Sequence, residues 1–297
     1  MINIDATKIL IPIDFSKTSN RAVKHGAFIA KLCKGELILL HVQKKSELLD
    51  IILPVFKIKD PSVITNYLQG KLDKLAETVR KECGVKITTL VSVGNITSEI
   101  VNIANEFNAG MIIMGTQGAD SENDLFLGSN SYRVLTKSDI PVMTVRSESP
   151  KLGYQDILLP LDSSEHSRQK VNAAVQIACK FAARLHVVGI LGKHEKAYEY
   201  KMEVILGQVA KMAKEKKLVC KTEISVAENR AQKTLAYAKK VNADLIITMT
   251  DQSAGPSRII LGTYAHQLIN NSKIPVLSIP PEIHGENMEQ DSIGGMW

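Results

Sequence analysis

Several chemistries are missing from this sequence. Its four cysteines, Cys33, Cys83, Cys179 and Cys220, form no C-x-x-C pair, and none has a histidine at zinc-ligand spacing. A disulfide framework and a zinc module are therefore not expected, and a reducing cytoplasm is. The histidines show no metal-ligand spacing. The first residues, MINIDATKILIPID, carry no basic segment followed by an apolar stretch and a small-residue cleavage site. No apolar run approaches the roughly 20 residues that cross a bilayer, so no membrane partner is expected. No G-x-x-x-x-G-K-[ST] loop occurs, which argues against a Walker-type ATPase. No G-x-G-x-x-G follows the first strand pattern, which argues against a dinucleotide dehydrogenase. No nucleophile–base pair can be assigned, so an enzymatic role has no positive support.

What is present is an ordinary globular composition, 44% apolar and 23% charged over 297 residues. The formal net charge is +6, but basic and acidic residues are interspersed, as on a solvated surface. Nucleic acid is not an expected partner. Cys33 and Cys179 sit in apolar helical context and read as core fillers.

The chain also repeats itself. KILIPID at 8–14 returns as DILLPLD at 156–162, an offset of 148 that also aligns 29–42 with 177–190. Further along the offset becomes 134, aligning 88–95 with 222–229, 109–116 with 243–250, and 139–145 with 273–279. The simplest account is two homologous domains, 1–147 and 154–281, followed by a polar tail at 282–297. The first copy carries a longer excursion after its second strand, including LLDIILPVF at 48–56, whose default reading is packing on its own domain.

Within each copy, short β-branched runs alternate with amphipathic stretches. Strands are expected at 8–13, 36–42, 86–92, 110–114 and 141–145, and helices at 18–33, 62–82, 97–107 and 129–137. Ser16, Asn95 or Thr97, and Ser129 read as helix starts. The strands have few alternating polar positions, as in sheets covered on both faces. The expected fold is α/β: two tandem open parallel five-stranded sheets with helices on both faces.

Ligands of such sheets bind beyond the carboxyl ends of the strands. Strand 1 ends in Pro12, Ile13 and Asp14, and strand 4 in Met114 and Gly115, with Gly118 close behind. Ten residues after Gly118 come Gly128, Ser129 and Asn130, opening a helix. Glycines let phosphate or ribose approach the backbone. A helix N-terminus offers unpaired N–H donors and partial positive charge to an anion. Asp14 suits an adenine amino group or a ribose hydroxyl.

The pattern G-x2-G-x9-G-[ST] after an apolar strand, with P-x-D after the first strand, resembles the universal stress protein family. Gly115, Gly118, Gly128 and Ser129 match it position by position, and the resemblance spans nearly the whole chain as two copies. It implies a Rossmann-like fold binding ATP, or AMP or ADP, with or without Mg²⁺, in the first domain. Asp14 and Val42 would meet base and ribose; the glycines and the hydroxyl would hold ribose and phosphates. It also implies an intramolecular pseudo-dimer of the two domains through 140–145 and 274–279, with a homodimer and a further protein partner left open. The Ser-Gly-Gly-rich loop of related adenylating enzymes is absent from IDFSKTS. The expected function is a nucleotide-responsive stress-response module. The alternatives are a nucleotide-free interaction scaffold and, more weakly, a slow ATP hydrolase.

Two departures qualify the match. The loop at 119–127 carries Asp120, Glu122 and Asp124, which disfavour a triphosphate unless they share Mg²⁺. In the second copy Met249 and Gln252 replace Gly115 and Gly118, while Asp162, Gly262 and Thr263 are kept. That copy is expected to be closed to nucleotide or to take something smaller, with Asp162 serving the turn.

Overall fold

The computed structural model describes residues 7–56, 58–116, 127–149, 152–164, 166–250 and 261–281. The first half runs β1 (Lys8–Pro12), α1 (Lys17–Cys33), β2 (Glu36–Lys44), α4 (Ser62–Cys83), β3 (Lys86–Gly94), α5 (Ile96–Glu106), β4 (Met111–Gly115), α6 (Ser129–Lys137) and β5 (Val142–Val145). Two single helical turns, α2 (Lys45–Glu47) and α3 (Leu53–Val55), flank a π-turn in the excursion between β2 and α4. The second half repeats the order with β6 (Asp156–Leu161), α7 (His166–Phe181), β7 (Arg184–Leu191), α8 (Glu199–Glu215), β8 (Cys220–Val226), α9 (Arg230–Lys240), β9 (Leu245–Met249), α10 (Thr263–Asn271) and β10 (Val276–Ile279). No helix among the described residues is long and apolar enough to cross a membrane.

Each half is a parallel sheet, and the two are joined. The strand order is β3-β2-β1-β4-β5-β10-β9-β6-β7-β8, and among the described residues the only antiparallel pair is β5 with β10. Across that seam Thr144 faces Val276, Met143 faces Leu277 and Val142 faces Ser278. Two five-stranded sheets thus share one ten-stranded surface, with their last strands in the middle.

Strand alternation sorts the core into two layers. Ile9 and Ile11 belong to the layer of α1, α4, α7 and α8, which also holds Leu72, Ala76, Met202 and Ile205. Leu10 belongs to the layer of α5, α6, α9 and α10, which also holds Ile100, Val134 and Leu268. All these strand residues are apolar because both faces are covered. Gly26 lets α1 lie close on β1: a Cβ there would collide with the side chain of Ile11.

Helix starts follow side-chain chemistry. Ser16 caps α1 by accepting from the Ser19 N–H, and Asn95 caps α5 by accepting from the Ser98 N–H. Ser129 does not cap α6. Gly128 is the cap and provides no side-chain bond, so Ser129 is the first residue of the helix itself. Two other expectations are corrected. Cys179 is exposed, not a core filler, because it falls on the outer side of α7. The excursion buries Leu48 but leaves Ile51, Val55 and Phe56 exposed, so it is only partly packed on its own domain.

The halves are also stitched by the connection between them. Tyr154 is buried, stacks on Phe181 at 5.1 Å and meets Phe28 edge-on at 6.0 Å. Its hydroxyl lies 2.7 Å from His25 Nδ1 on α1. Arg21 donates to the Ser149 carbonyl beside it. Burial pushes the Tyr154 phenol well above its ordinary value, so the hydroxyl keeps its proton. Burial, reinforced by the charge of Arg21, lowers the His25 imidazole to about 4.

Removing the hydroxyl with Tyr154→Phe leaves a buried imidazole nitrogen unpaired and is expected to cost about 1–3 kcal/mol in urea unfolding. The low His25 value has a defined sign. The unfolded imidazole takes a proton near pH 6.5, whereas the folded one holds none until about pH 4. Its contribution is therefore intact above pH 6.5 and is lost as the pH falls toward 4, by roughly 3 kcal/mol. Urea midpoints measured at pH 7 and pH 4.5 should converge for wild type and His25→Gln by an amount of that order.

Candidate functional site

Strand order reverses between β1 and β4, because the crossovers from β1 to β2 and from β4 to β5 leave in opposite directions along the sheet. The loops that follow the two strands diverge there and leave a gap at the carboxyl edge. A cleft of about 330 Å³ occupies it, lined on β1 by Pro12, Ile13 and Asp14, on β2 by Val42 and Lys44, and on β4 by Met114 and Gly115. Gly128, Ser129, Asn130 and Ser131 close one side at the start of α6, and Ile96 and Ile100 of α5 another.

Local bonds hold these walls. The tip of β1 is drawn toward β2 by the Ile13 N–H donating to the Leu40 carbonyl at 2.7 Å. The Ile13 carbonyl lies 2.7 Å from His41 Nδ1. A carbonyl can only accept, so Nδ1 carries the proton. Burial lowers the His41 pKa, against its bond to Ile13 and the charge of Asp14, with Lys71 adding to the lowering. Asp14 Oδ1 accepts from the Ser16 N–H at 3.0 Å and shapes the turn into α1. Phe15 then adopts a left-handed φ of 63°. That conformation disfavours a side chain. Its ring is held against His41 at 5.0 Å and under the Lys71 ammonium at 4.3 Å. On the other wall, Ser131 Oγ donates to the Gly115 carbonyl at 2.8 Å, and the Gly128 N–H donates to the Thr116 carbonyl at 2.7 Å. These two bonds tie the start of α6 to the end of β4.

Nine of the ten residues singled out from the sequence line this one cleft: Pro12, Ile13, Asp14, Val42, Met114, Gly115, Gly128, Ser129 and Asn130. Gly118, and the acidic residues Asp120, Glu122 and Asp124, lie outside the described residues. Sequence reasoning missed Ser19, Lys44, Ile96, Ile100 and Ser131. Lys44 could have been found as the last residue of β2 at the same edge, and Ile96 as the first residue after the Asn95 cap. Lys44 pairs with Glu47 at 2.6 Å on the rim. Among the described residues no group of three or more His, Cys, Asp or Glu could hold a metal ion.

The same gap recurs between β6 and β9, but it holds only about 120 Å³. At the repeat offsets, Ala22, Ile96, Gly115 and Asn130 become Lys170, Arg230, Met249 and Tyr264, and all four line the smaller cleft. Met249 was anticipated as a plug; the other three were not, and Gln252 lies outside the described residues. Asp162 repeats the turn of Asp14, accepting from the Ser164 N–H at 2.9 Å and the Ser164 hydroxyl at 2.5 Å. Burial alone would raise its pKa. The Ser164 bonds and the charges of Lys170 and Arg230 outweigh that and hold it below the ordinary carboxylate range.

A sequence model described as the universal stress protein family matches residues 6–146 and again 153–280. The chain belongs to the universal stress protein family. It is 35% identical over 155 residues to Universal stress protein MJ0577 of Methanocaldococcus jannaschii, an alignment covering 48% of this chain and 96% of that protein. It is 31% identical over 148 residues to Universal stress protein YxiE of Bacillus subtilis, covering 47% and 98%. Both relatives have the length of one copy. A crystal structure of a universal stress protein from Archaeoglobus fulgidus superimposes with a TM-score of 0.73 over 93% of this chain and 99% of its own, at 20% identity. That likeness shows the fold of the whole chain, both copies included.

The Ser131 bond is a measurable part of the cleft. Ser131→Ala frees the Gly115 carbonyl in a buried setting and should cost about 1 kcal/mol in chemical denaturation. The corresponding residue of the second copy is already Ala265, so Ala265→Ser is expected to give no matching gain.

Proposed function

We propose that the cleft between β1 and β4 binds an adenine nucleotide, ATP in the first instance. The protein then serves as a nucleotide-responsive stress-response module in the cytoplasm, with its functional domains at 1–147 and 154–281. The observation that carries this reading is convergence. Residues from four separated stretches of sequence, 12–14, 42, 114–115 and 128–130, line one concavity at the topological switch point. Its volume of about 330 Å³ falls at the lower end of the range for small-molecule sites.

The wall chemistry suits the parts of a nucleotide. Val42, Ile96, Ile100 and Met114 offer an apolar slot for a base. Asp14 supplies a carboxylate at the tip of β1 for a ribose hydroxyl or an adenine amino group. The start of α6, capped by a glycine with no side-chain bond, leaves amide donors open to phosphate. The Ser129 hydroxyl is exposed beside them, and Lys44 at the rim adds a cation. Bound nucleotide would order the carboxyl edge of the first sheet and thereby bias what that edge presents to a partner.

The test is direct. The purified protein is denatured in acid and the supernatant is resolved by anion exchange, or nucleotide-free protein is titrated calorimetrically with ATP, AMP and ADP with and without Mg²⁺. About one adenine nucleotide per chain is expected. Gly115→Met, which installs the residue found in the second copy, should lower affinity by tenfold or more. Absence of both retained and added nucleotide binding would leave the scaffold reading.

A further inference from the structure

We propose that the smaller cleft of the second half, between β6 and β9, is a binding site for a small oxyanion of the inorganic phosphate class. The inference does not depend on the nucleotide reading of the first cleft.

The second cleft is small, at about 120 Å³, well below the roughly 300 Å³ at which ordinary ligand pockets begin. A nucleoside is excluded, and a ligand of a few non-hydrogen atoms is not. Its lining differs from that of the first cleft in kind as well as size. Met114 and Ile96 of the first cleft's wall become Thr248 and Arg230, and Lys170 enters from the position of Ala22, so hydrogen-bond donors replace apolar wall.

One of these residues carries an unsatisfied group. Thr248 is fully buried, and its Oγ1 has no hydrogen-bond partner among the described residues. Such a group costs about 1–3 kcal/mol unless something satisfies it. Ser167 is also buried, and its Oγ already accepts from the Asp162 N–H at 3.0 Å and from Lys170 Nζ at 3.2 Å. With both lone pairs used, the Ser167 proton is left to donate, and no described residue accepts it. Lys170 is only 4% exposed. Arg230 directs Nη2 to both oxygens of Glu195 at 2.6 Å, while its Nη1 stands 3.9 Å from Asp162, beyond hydrogen-bonding range.

The carboxylates, by contrast, face donors and cations of the chain itself. Asp162 Oδ1 holds the Ser164 amide and hydroxyl, and Glu195 holds the Gly192 amide as well as Arg230. Tyr264 shares a 2.9 Å bond with Thr234 Oγ1. Thr234 spends its own proton on the Arg230 carbonyl, so the phenol donates to it and offers no competing proton to the cleft. A concavity with two unsatisfied hydroxyls, at Thr248 and Ser167, beside two cations selects a compact acceptor. A tetrahedral oxyanion can accept from Thr248, Ser167, Arg230 and Lys170 together.

Titration calorimetry with inorganic phosphate on the full chain tests this. One saturable site per chain is expected, with affinity reduced tenfold or more in Thr248→Val and in Lys170→Met. Gly115→Met, which plugs the other cleft, should leave phosphate affinity unchanged. Thr248→Val keeps the residue's volume, so it decides the matter even if Lys170→Met fails to fold by circular dichroism. No saturable binding, binding that Thr248→Val leaves intact, or binding lost in Gly115→Met would each overturn the proposal. The last outcome would place the phosphate at the start of α6, a result compatible with the nucleotide reading.

Discussion

The reversal of strand order beside β1 and again beside β6 is the constraint from which the rest follows. A right-handed crossover can only lay its helix on one face for a given direction of travel along the sheet. Where the direction changes, adjacent connections leave for opposite faces and cannot fill the space between them. The sheet therefore produces a concavity at its carboxyl edge without needing any particular side chain there. Side chains decide only whether it stays open.

The two copies answer that question differently. In the first, Gly115 and Asn130 are small or short, Ile96 stays against the wall, and Ala22 does not reach the cleft, so the concavity remains. In the second, a lysine, a methionine, a tyrosine and an arginine reach inward and convert a mixed cleft into a tight polar one. The cations that enter bring their own compensation. Arg230 is met by Glu195, as Lys44 is met by Glu47 on the rim of the first cleft.

The second half is mechanically bound to the first. Besides the β5–β10 seam and the Tyr154 connection, the Leu127 amide donates to Asn270 Oδ1 of α10 at 2.7 Å. Leu127 immediately precedes Gly128, so the entry to α6 is positioned from the other copy. Tyr132 of α6 meets His266 of α10 edge-on at 6.0 Å. Any movement of the start of α6 must therefore be accommodated by α10, one turn of which, at Tyr264, walls the second cleft.

Much of this was legible in the residues. The doubled P-x-D phrases, the two constant offsets and the unbroken apolar strands determined a duplicated parallel α/β fold, because local hydrophobic pattern and strand–helix alternation are read directly from neighbouring residues. The spacing of Gly115, Gly128 and Ser129 marked the first cleft, because backbone freedom and helix termini are also local properties. Cap identity at α6, the exposure of Cys179 and the unburied part of the 48–56 excursion were decided otherwise, by which side of an element meets its neighbours. The closure of the second cleft was legible in part, through Met249, while the entry of Lys170, Arg230 and Tyr264 belonged to the tertiary structure. Lys170 and Arg230 look like surface charges in sequence, and only the placement of α7 and α9 brings them to the wall of the cleft at the end of β9.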